Sequence, residues 1–164
     1  MIVISDTSSL CYLLFLEEIE LLPKLFGQIV IPPQVAAELA NAHNHRLLQD
    51  WVASQPAWLK ITAPAKLDES IQLDAGEVAA ISLAMELRSD FVLLDDRLAR
   101  EAATERGLIV MGTLGVLNRA AQEGLLELEP AVAKLKLTNF FATDAFLEQF
   151  LAAHRLWIQQ HKDT

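Results

Sequence analysis

Two short apolar stretches of this sequence end directly at carboxylate residues, the side chains best suited to acid–base or metal chemistry. The apolar residues 91–94 are followed at once by Asp95 and Asp96, and the stretch that begins the chain runs through Ser5 into Asp6. Continuous apolar runs of this length predict strands buried on both faces, as in a parallel sheet. Because ligands bind outside the carboxyl ends of such strands, we expect these acids to share one crevice.

Two further acids, Glu38 and Glu77, stand in predicted helices. Glu77 follows Gly76 and begins a helix of small and aliphatic residues, where a carboxylate is costly unless its charge is compensated. A simpler interpretation of Glu77 is a favourable interaction with the helix N-terminus, worth about 0.3–1 kcal/mol. Glu38 alone is explained as well by a side chain that faces solvent. Both alternatives stay open for these residues taken singly.

A cluster of these acids would have distinct chemistry. Like charges about 4 Å apart repel by roughly 4 kcal/mol at an effective dielectric constant near 20, so the cluster must raise some pKa values or hold cations. Oxygen-only ligands select Mg²⁺ or Mn²⁺. Such an ion orients a water, lowers its pKa and stabilises charge on a phosphoryl group, which favours phosphodiester hydrolysis. Thr7 and Ser8 are placed to hold a metal-bound water.

The elements that position these acids alternate between strand and helix. We predict strands at residues 1–5, 28–31, 58–62, 91–94 and 108–111, a loop or lid at 63–71, and terminal helices at 131–137 and 144–157, the latter capped by Thr143. The alternation predicts a three-layer α/β/α sandwich around a mainly parallel five-stranded sheet. With 164 residues, 52% of them hydrophobic, the chain suits a single domain (1–164) whose residues 130–164 form a C-terminal helical extension.

Charge and composition restrict the possible partners. The net charge of −9 argues against broad, non-specific affinity for nucleic acid, but it does not exclude a nuclease whose acids bind metal. The single cysteine, Cys11, cannot form an internal disulfide and favours a reducing compartment. The sequence has no apolar run of roughly 18 residues and no secretory signal, so we predict a cytoplasmic protein that does not enter membranes.

Five segments carry a family resemblance, in this order: ISDTSSL (4–10), VIPPQVAAEL (30–39), AGEVAAISLA (75–84), VLLDDRLA (92–99) and GLIVMGTLGVL (107–117). Over about residues 1–124 the chain resembles the PIN-domain nucleases, specifically the prokaryotic DUF3368 type related to toxins of toxin–antitoxin pairs. The resemblance implies a PIN-like fold and a Mg²⁺- or Mn²⁺-dependent endoribonuclease. It further implies that the catalytic, metal-binding quartet is Asp6, Glu38, Glu77 and Asp96, with Asp95 as an additional metal carboxylate. Two positions depart from the usual pattern: Glu77 replaces a frequent aspartate, and Leu94 replaces a frequent hydroxyl residue.

Two features lie outside the acidic set. Arg97 stands beside the acids and is a candidate contact for a substrate phosphate, although a solvated helix face is the better default explanation. In the last helix, Phe146, Phe150 and Trp157 recur at helical spacing. This stripe either docks on its own domain or forms a partner surface, for a second copy in a homodimer or for an antitoxin protein.

Two other functions remain open at the level of sequence. One is a catalytically weak module that keeps the fold and binds RNA or protein. The other is a phosphatase of the haloacid-dehalogenase kind, because residues 93–96 resemble the late acidic motif of that family. Such phosphatases also carry an acid two residues after their nucleophilic aspartate, where this chain has Ser8. A metal-dependent ribonuclease is therefore the preferred hypothesis.

Overall fold

A single sheet organises the first part of the chain. The computed structural model describes residues 1–162. Its five strands are all parallel, in the order β3-β2-β1-β4-β5. They are β1 (Val3–Ser5), β2 (Ile29–Ile31), β3 (Leu59–Ile61), β4 (Phe91–Leu93) and β5 (Val110–Met111). Each strand lies inside a predicted one, and the predicted fold class, a three-layer α/β/α arrangement, is confirmed.

The strand order brings the two acid-bearing strands together. β1 pairs with β4 in parallel, and Ser5 lies opposite Leu93 in that register. The pairing continues one residue further, because the backbone amide of Asp6 donates to the carbonyl oxygen of Leu93 at 3.2 Å. From β1 the chain adds β2 and β3 on one side, and β4 and β5 then add on the other side of β1. Such a switch point between β1 and β4 opens a crevice at the carboxyl ends of the strands.

Nine helices occur in residues 1–162. They are α1 (Thr7–Phe15), α2 (Leu21–Phe26), α3 (Pro33–Ala40), α4 (Arg46–Ser54), α5 (Ala75–Leu87), α6 (Arg97–Glu105), α7 (Thr113–Gln122), α8 (Leu128–Leu135) and α9 (Asp144–Gln160). None of the helices in this part of the chain combines the length and the apolarity that crossing a membrane requires.

Aspartates begin three of these helices. The carboxylate of Asp6 accepts the amide of Ser9 at the start of α1, and Asp74 and Asp96 cap α5 and α6 in the same way. An N-cap carboxylate satisfies an amide that has no partner within the helix, so the local sequence explains where each helix starts. Three acidic caps are thereby fixed by backbone geometry.

The helix α5 supplies much of the core. Its side chains Ile81 and Leu83 are fully buried, together with Ile4 of β1 and Val92 of β4. This burial agrees with the small and aliphatic composition of the helix, and its small residues let it lie close to the sheet. Truncation of Ile81 to alanine would cost about 2–5 kcal/mol of folding free energy. Glu77 is held in the first turn of this buried helix.

The irregular segment between β3 and α5, here called the 62–74 loop, is fastened to its surroundings. The guanidinium of Arg106 donates to the carboxylate of Asp68 at 3.0 Å and to the hydroxyl of Ser70 at 2.9 Å. The amide of Asp68 donates to the hydroxyl of Ser82 on α5 at 2.9 Å. This loop covers the predicted loop or lid of residues 63–71, and these bonds attach it to α5 and to the end of α6.

The chain forms two compact units, residues 1–113 and a second that begins at Leu114. In the second, α8 starts at Leu128, three residues before the predicted start, because a proline in the first turn (Pro130) does not interrupt a helix. Thr143 caps α9 as predicted. The buried positions of α9 are Leu147 and His154, and Phe146 of the predicted aromatic stripe is 53% exposed.

Candidate active site

Asp6 is the most deeply placed acid at the carboxyl end of the sheet. Its residue is 2% exposed, and one carboxylate oxygen accepts the Ser9 amide at 3.2 Å. Burial raises the pKa of Asp6 well above its usual range, and the Ser9 bond opposes that rise. The charges of Asp95, Glu77 and Asp74 raise this pKa further. Asp6 is therefore an acid whose negative charge is poorly compensated by its own protein.

Asp95 is held by hydroxyl and amide donors. The hydroxyl of Ser9 donates to one carboxylate oxygen at 2.9 Å, and the hydroxyl of Thr113 donates to the same oxygen at 2.6 Å. The amide of Thr113 donates to the other oxygen at 2.8 Å. Three donors fix the carboxylate on the side of Asp6, so its position is set by α1, β4 and the turn after β5.

Glu77 and Asp74 lie together at the start of α5 and are joined by hydrogen bonds. The Glu77 amide donates to the Asp74 carboxylate at 2.8 Å, and the two carboxyl groups also share a hydrogen bond. Burial, that shared bond and the charges of Asp74 and Asp96 raise the pKa of Glu77 to about 7. Near neutral pH, Glu77 is thus only partly ionised.

Glu38 is bound at the edge of this group. Its carboxylate accepts a hydrogen bond from the hydroxyl of Thr7 and another from the amide of Gly76, the latter at 3.0 Å. A Cβ at position 76 would lie 2.8 Å from Glu38 Cδ, so any other residue here would displace the Glu38 carboxylate from its place against α5. The charges of Asp6 and Glu38 both contribute, after burial, to raising the pKa of the Cys11 thiol to about 11.

The structure brings together most of the predicted acids. Electrostatic coupling links Asp6 to Asp95 and Glu77, and Glu77 to Asp96, whereas Glu38 is held through Thr7 and Gly76. Ser8 is exposed, and Arg97 is exposed at the start of α6. The catalytic and metal-binding roles of these residues remain predictions.

Three contributors were missed by sequence reasoning: Asp74, Ser9 and Thr113. For Asp74 a signal existed, since an aspartate three residues before Glu77 matches the capping-box pattern of a helix start. The hydroxyls of Ser9 and Thr113 reach Asp95 from positions 86 and 18 residues away in the chain. Only the strand order could have revealed those two contacts.

The donor set fits a hard divalent cation. Within residues 1–162, no three acidic, histidine or cysteine side chains already form a group that could hold a metal ion. Mg²⁺ seldom needs such a cage, because it keeps several waters and commonly binds one or two carboxylates together with substrate phosphates. The acids offer oxygen ligands only, and a cation would relieve the charge that raises the pKa values of Asp6 and Glu77.

The family comparison agrees with this geometry. The model of the DUF3368 family, described as a PIN domain, matches residues 2–155. The chain belongs to the PIN-domain family. PIN domains are generally nucleases that use divalent metals and act on nucleic acid, and the match covers the whole acidic edge of this PIN domain. No curated protein matches the chain at a significant level.

Proposed function

We propose that this PIN domain is a Mg²⁺- or Mn²⁺-dependent endoribonuclease that hydrolyses RNA phosphodiester bonds. The observation that carries the proposal is the gathering of Asp6, Glu77, Asp95 and Asp96 at the switch point between β1 and β4, where two of them have raised pKa values. Family membership supports the nuclease class, and the oxygen-only donor set supports the choice of metal.

In this proposal, Asp6, Glu77, Asp95 and Asp96 bind the cation. A bound Mg²⁺ or Mn²⁺ would supply an activated water and stabilise charge on the phosphoryl oxygens. Ser9 and Thr113 fix the Asp95 carboxylate so that its oxygens need no rearrangement when RNA enters.

Glu38 and Glu77 complete the catalytic set. Glu38 connects α3 to the first turn of α5 by accepting the Gly76 amide, and it holds Thr7 of α1 by accepting its hydroxyl. Glu77, with a pKa of about 7, is suited to exchanging a proton with water near neutral pH when no cation is bound.

The direct test is a cleavage assay on a panel of structured and unstructured RNAs. We expect endonucleolytic products with Mg²⁺ or Mn²⁺ and none with a chelator, and we expect Asp6→Asn to remove the activity from a preparation of matched purity. Binding of RNA without metal-dependent cleavage would instead identify a binding module that keeps the fold. A trapped aspartyl-phosphate on Asp6 would identify a phosphatase.

We also propose that the protein is a cytoplasmic toxin, that it forms a homodimer and that an antitoxin protein restrains it. Support comes from the resemblance to toxin-type PIN proteins and from apolar side chains exposed in the second unit, such as Phe141 (90%), Phe146 (53%) and Leu156 (54%). Expression in a bacterial host should arrest growth, and Asp6→Asn should not. Light scattering should give twice the mass of one chain. A monomer would contradict the homodimer, and unaffected growth would contradict the toxin.

A further inference from the structure

Two arginines beside the acidic edge differ from most others in the chain. Arg46, Arg106 and Arg155 each form an ion pair with a carboxylate. Within residues 1–162, the guanidinium groups of Arg97 and Arg100 form no hydrogen bond and no ion pair, although three carboxylates stand nearby. Both arginines lie in the first turn and a half of α6, the helix that Asp96 caps.

These two arginines line a cavity of about 490 Å³ on the face of α6. The other residues that line it are Asp95, Glu101, Thr104 and Glu105. The cavity thus starts at a carboxylate of the candidate active site and extends along the helix. Because α6 rises about 1.5 Å per residue, its arginines lie at the active-site end and Glu105 lies roughly 12 Å from Arg97 along the helix axis.

A glycine lets Arg100 reach that end of the cavity. The Nη1 atom of Arg100 and the Oδ1 atom of Asp95 are each 3.0 Å from the point that a Cβ on Gly112 would occupy. Any larger residue at position 112 would have to displace one of the two groups. Asp95 is already bound by Ser9 and Thr113, so the guanidinium beside it keeps its own donors for another acceptor.

We propose that this cavity binds one phosphate of the RNA strand, adjacent to the phosphodiester that is cleaved, through Arg97 and Arg100. The planar guanidinium presents paired donors that match phosphate oxygens, and two of them form a fork around one anion. Glu105 lies at the far end of the cavity, and Glu101 lies between it and the arginines. Both carboxylates repel further phosphates, so the subsite holds a single phosphate and not a long track. This inference rests on the proposed function, because it concerns the same substrate.

The test measures RNA binding separately from cleavage. A short single-stranded RNA labelled with a fluorophore is titrated with protein in the presence of EDTA, over a range of salt concentrations. The variant Arg97→Ala/Arg100→Ala is compared with wild type. Its control is Arg46→Ala/Arg88→Ala, which removes the same charge from exposed residues outside the cavity. Melting temperatures verify that both variants are folded.

The expected result is specific to the number of phosphate contacts. Each contact to single-stranded nucleic acid contributes about 0.7 to the slope of log affinity against log salt, so loss of the two arginines should reduce the slope by roughly 1.4. Affinity should fall about 10-fold or more, and the control should keep the wild-type slope. Arg100→Lys should keep the slope but weaken binding, because lysine lacks the fork.

These measurements test the phosphate subsite and the nuclease activity separately. If wild type cleaves RNA but the double variant binds and cleaves it equally well, the phosphate subsite is wrong and the nuclease stands. If wild type binds RNA through these arginines but no metal supports cleavage, the subsite stands and the nuclease is wrong. Arginines that serve a protein partner instead would leave the RNA slope unchanged, which also overturns the proposal.

Discussion

Two groups of carboxylates in the first unit have opposite electrostatic surroundings. In the 62–74 loop, hydrogen bonds from Ser70 and then from Arg106 lower the pKa of Asp68 to about 2. At the acidic edge, burial and neighbouring carboxylates raise the pKa of Glu77 to about 7 and that of Asp6 well above its usual range. The same chemical group is thus compensated in one region and left uncompensated in the other.

The contrast shows which carboxylates serve structure and which are available for a ligand. Asp68 has a guanidinium partner and fastens the loop to the end of α6. The carboxylates of the acidic edge form no ion pair with any residue from 1 to 162. Clustered carboxylates without basic partners oppose folding unless a cation joins them, and strongly perturbed pKa values of this kind concentrate at functional sites.

The largest effect is expected from Asp6→Asn. Asparagine preserves the shape of the side chain and remains a good N-cap, so α1 and the fold should persist. The cation loses its most buried ligand, and RNA cleavage should fall at least about 100-fold, since even outer partners of metal ligands are worth 10–100-fold. Steady-state cleavage rates with Mn²⁺ measure the effect.

A matched control for Asp6→Asn is Asp50→Asn on α4. Asp50 pairs with Arg46 on an exposed surface, and such pairs contribute at most about 0.5 kcal/mol. Cleavage by this variant should equal that of wild type. An equal loss of RNA cleavage in the two variants would show that cleavage does not depend specifically on the acidic edge.

Next in size is Glu77→Gln, which should stabilise the metal-free protein while removing cleavage. Folding raises the pKa of Glu77 from 4.5 to about 7. The contribution of Glu77 to the free energy of unfolding is therefore fully present below about pH 4.5, and it is lost as the pH rises through 7. At pH 8 with a chelator, the variant should gain about 1 kcal/mol in the free energy of unfolding, a value reduced for solvent screening at this half-buried site.

Denaturant melts of wild type and Glu77→Gln at pH 5 and pH 8 measure this gain. The difference between the two proteins should grow from pH 5 to pH 8 in EDTA and shrink when Mn²⁺ is present. A variant that is less stable than wild type at pH 8 would show that Glu77 is compensated by the protein itself.

A smaller effect is expected from Thr113→Val. Valine keeps the volume but removes the hydroxyl that donates to Asp95, which should cost about 1 kcal/mol of stability and reduce cleavage about 10-fold. The control is Thr138→Val, whose hydroxyl donates to the carbonyl of Leu135 and accepts the amide of Phe140, with no contact to the acidic edge. A similar loss of stability without a loss of cleavage in Thr138→Val would separate positioning of Asp95 from general stability.

The smallest effect concerns the compensated carboxylate. Folding lowers the pKa of Asp68 to about 2. The stabilising contribution of ionised Asp68 to the folded state is therefore fully present above about pH 4, and it is lost as the pH falls toward 2. Arg106→Gln should loosen the 62–74 loop at neutral pH, and wild type should show the same loosening between pH 4 and pH 2. Hydrogen exchange of the Asp68 amide, which donates to Ser82, reports the change. Unchanged exchange in Arg106→Gln would contradict the role of this ion pair.

Much of the fold followed from local patterns in the sequence. Four of the five strands were apolar runs closed by a polar or turn residue, and β3, which contains Lys60, was the exception. The caps at Asp6 and Thr143 follow from the preference of helix starts for such side chains. The start of α8 was wrong: the helix begins at Leu128 and not at residue 131, since the first helical turn accepts the proline at position 130.

The arrangement within the site was less predictable, because it depends on contacts distant in sequence. Asp6 and Asp95 were predicted to share one edge of the sheet, because the carboxyl ends of parallel strands lie together. The donors to Asp95, however, come from α1 and from the turn after β5. On α9, Phe150 and Trp157 of the predicted stripe are half-buried, but the buried His154 was missed, because hydrophobic periodicity does not mark a histidine.

The central claim is that the acids at the carboxyl ends of β1 and β4 share a divalent cation. Calorimetric titration of Mn²⁺ into wild type and Asp6→Asn at pH 8 tests it most directly. We expect saturable binding by wild type, a stabilisation of about 2.7 kcal/mol at a hundred times the dissociation constant, and neither effect in Asp6→Asn. Equal Mn²⁺ binding by both proteins, or none by wild type, would contradict it.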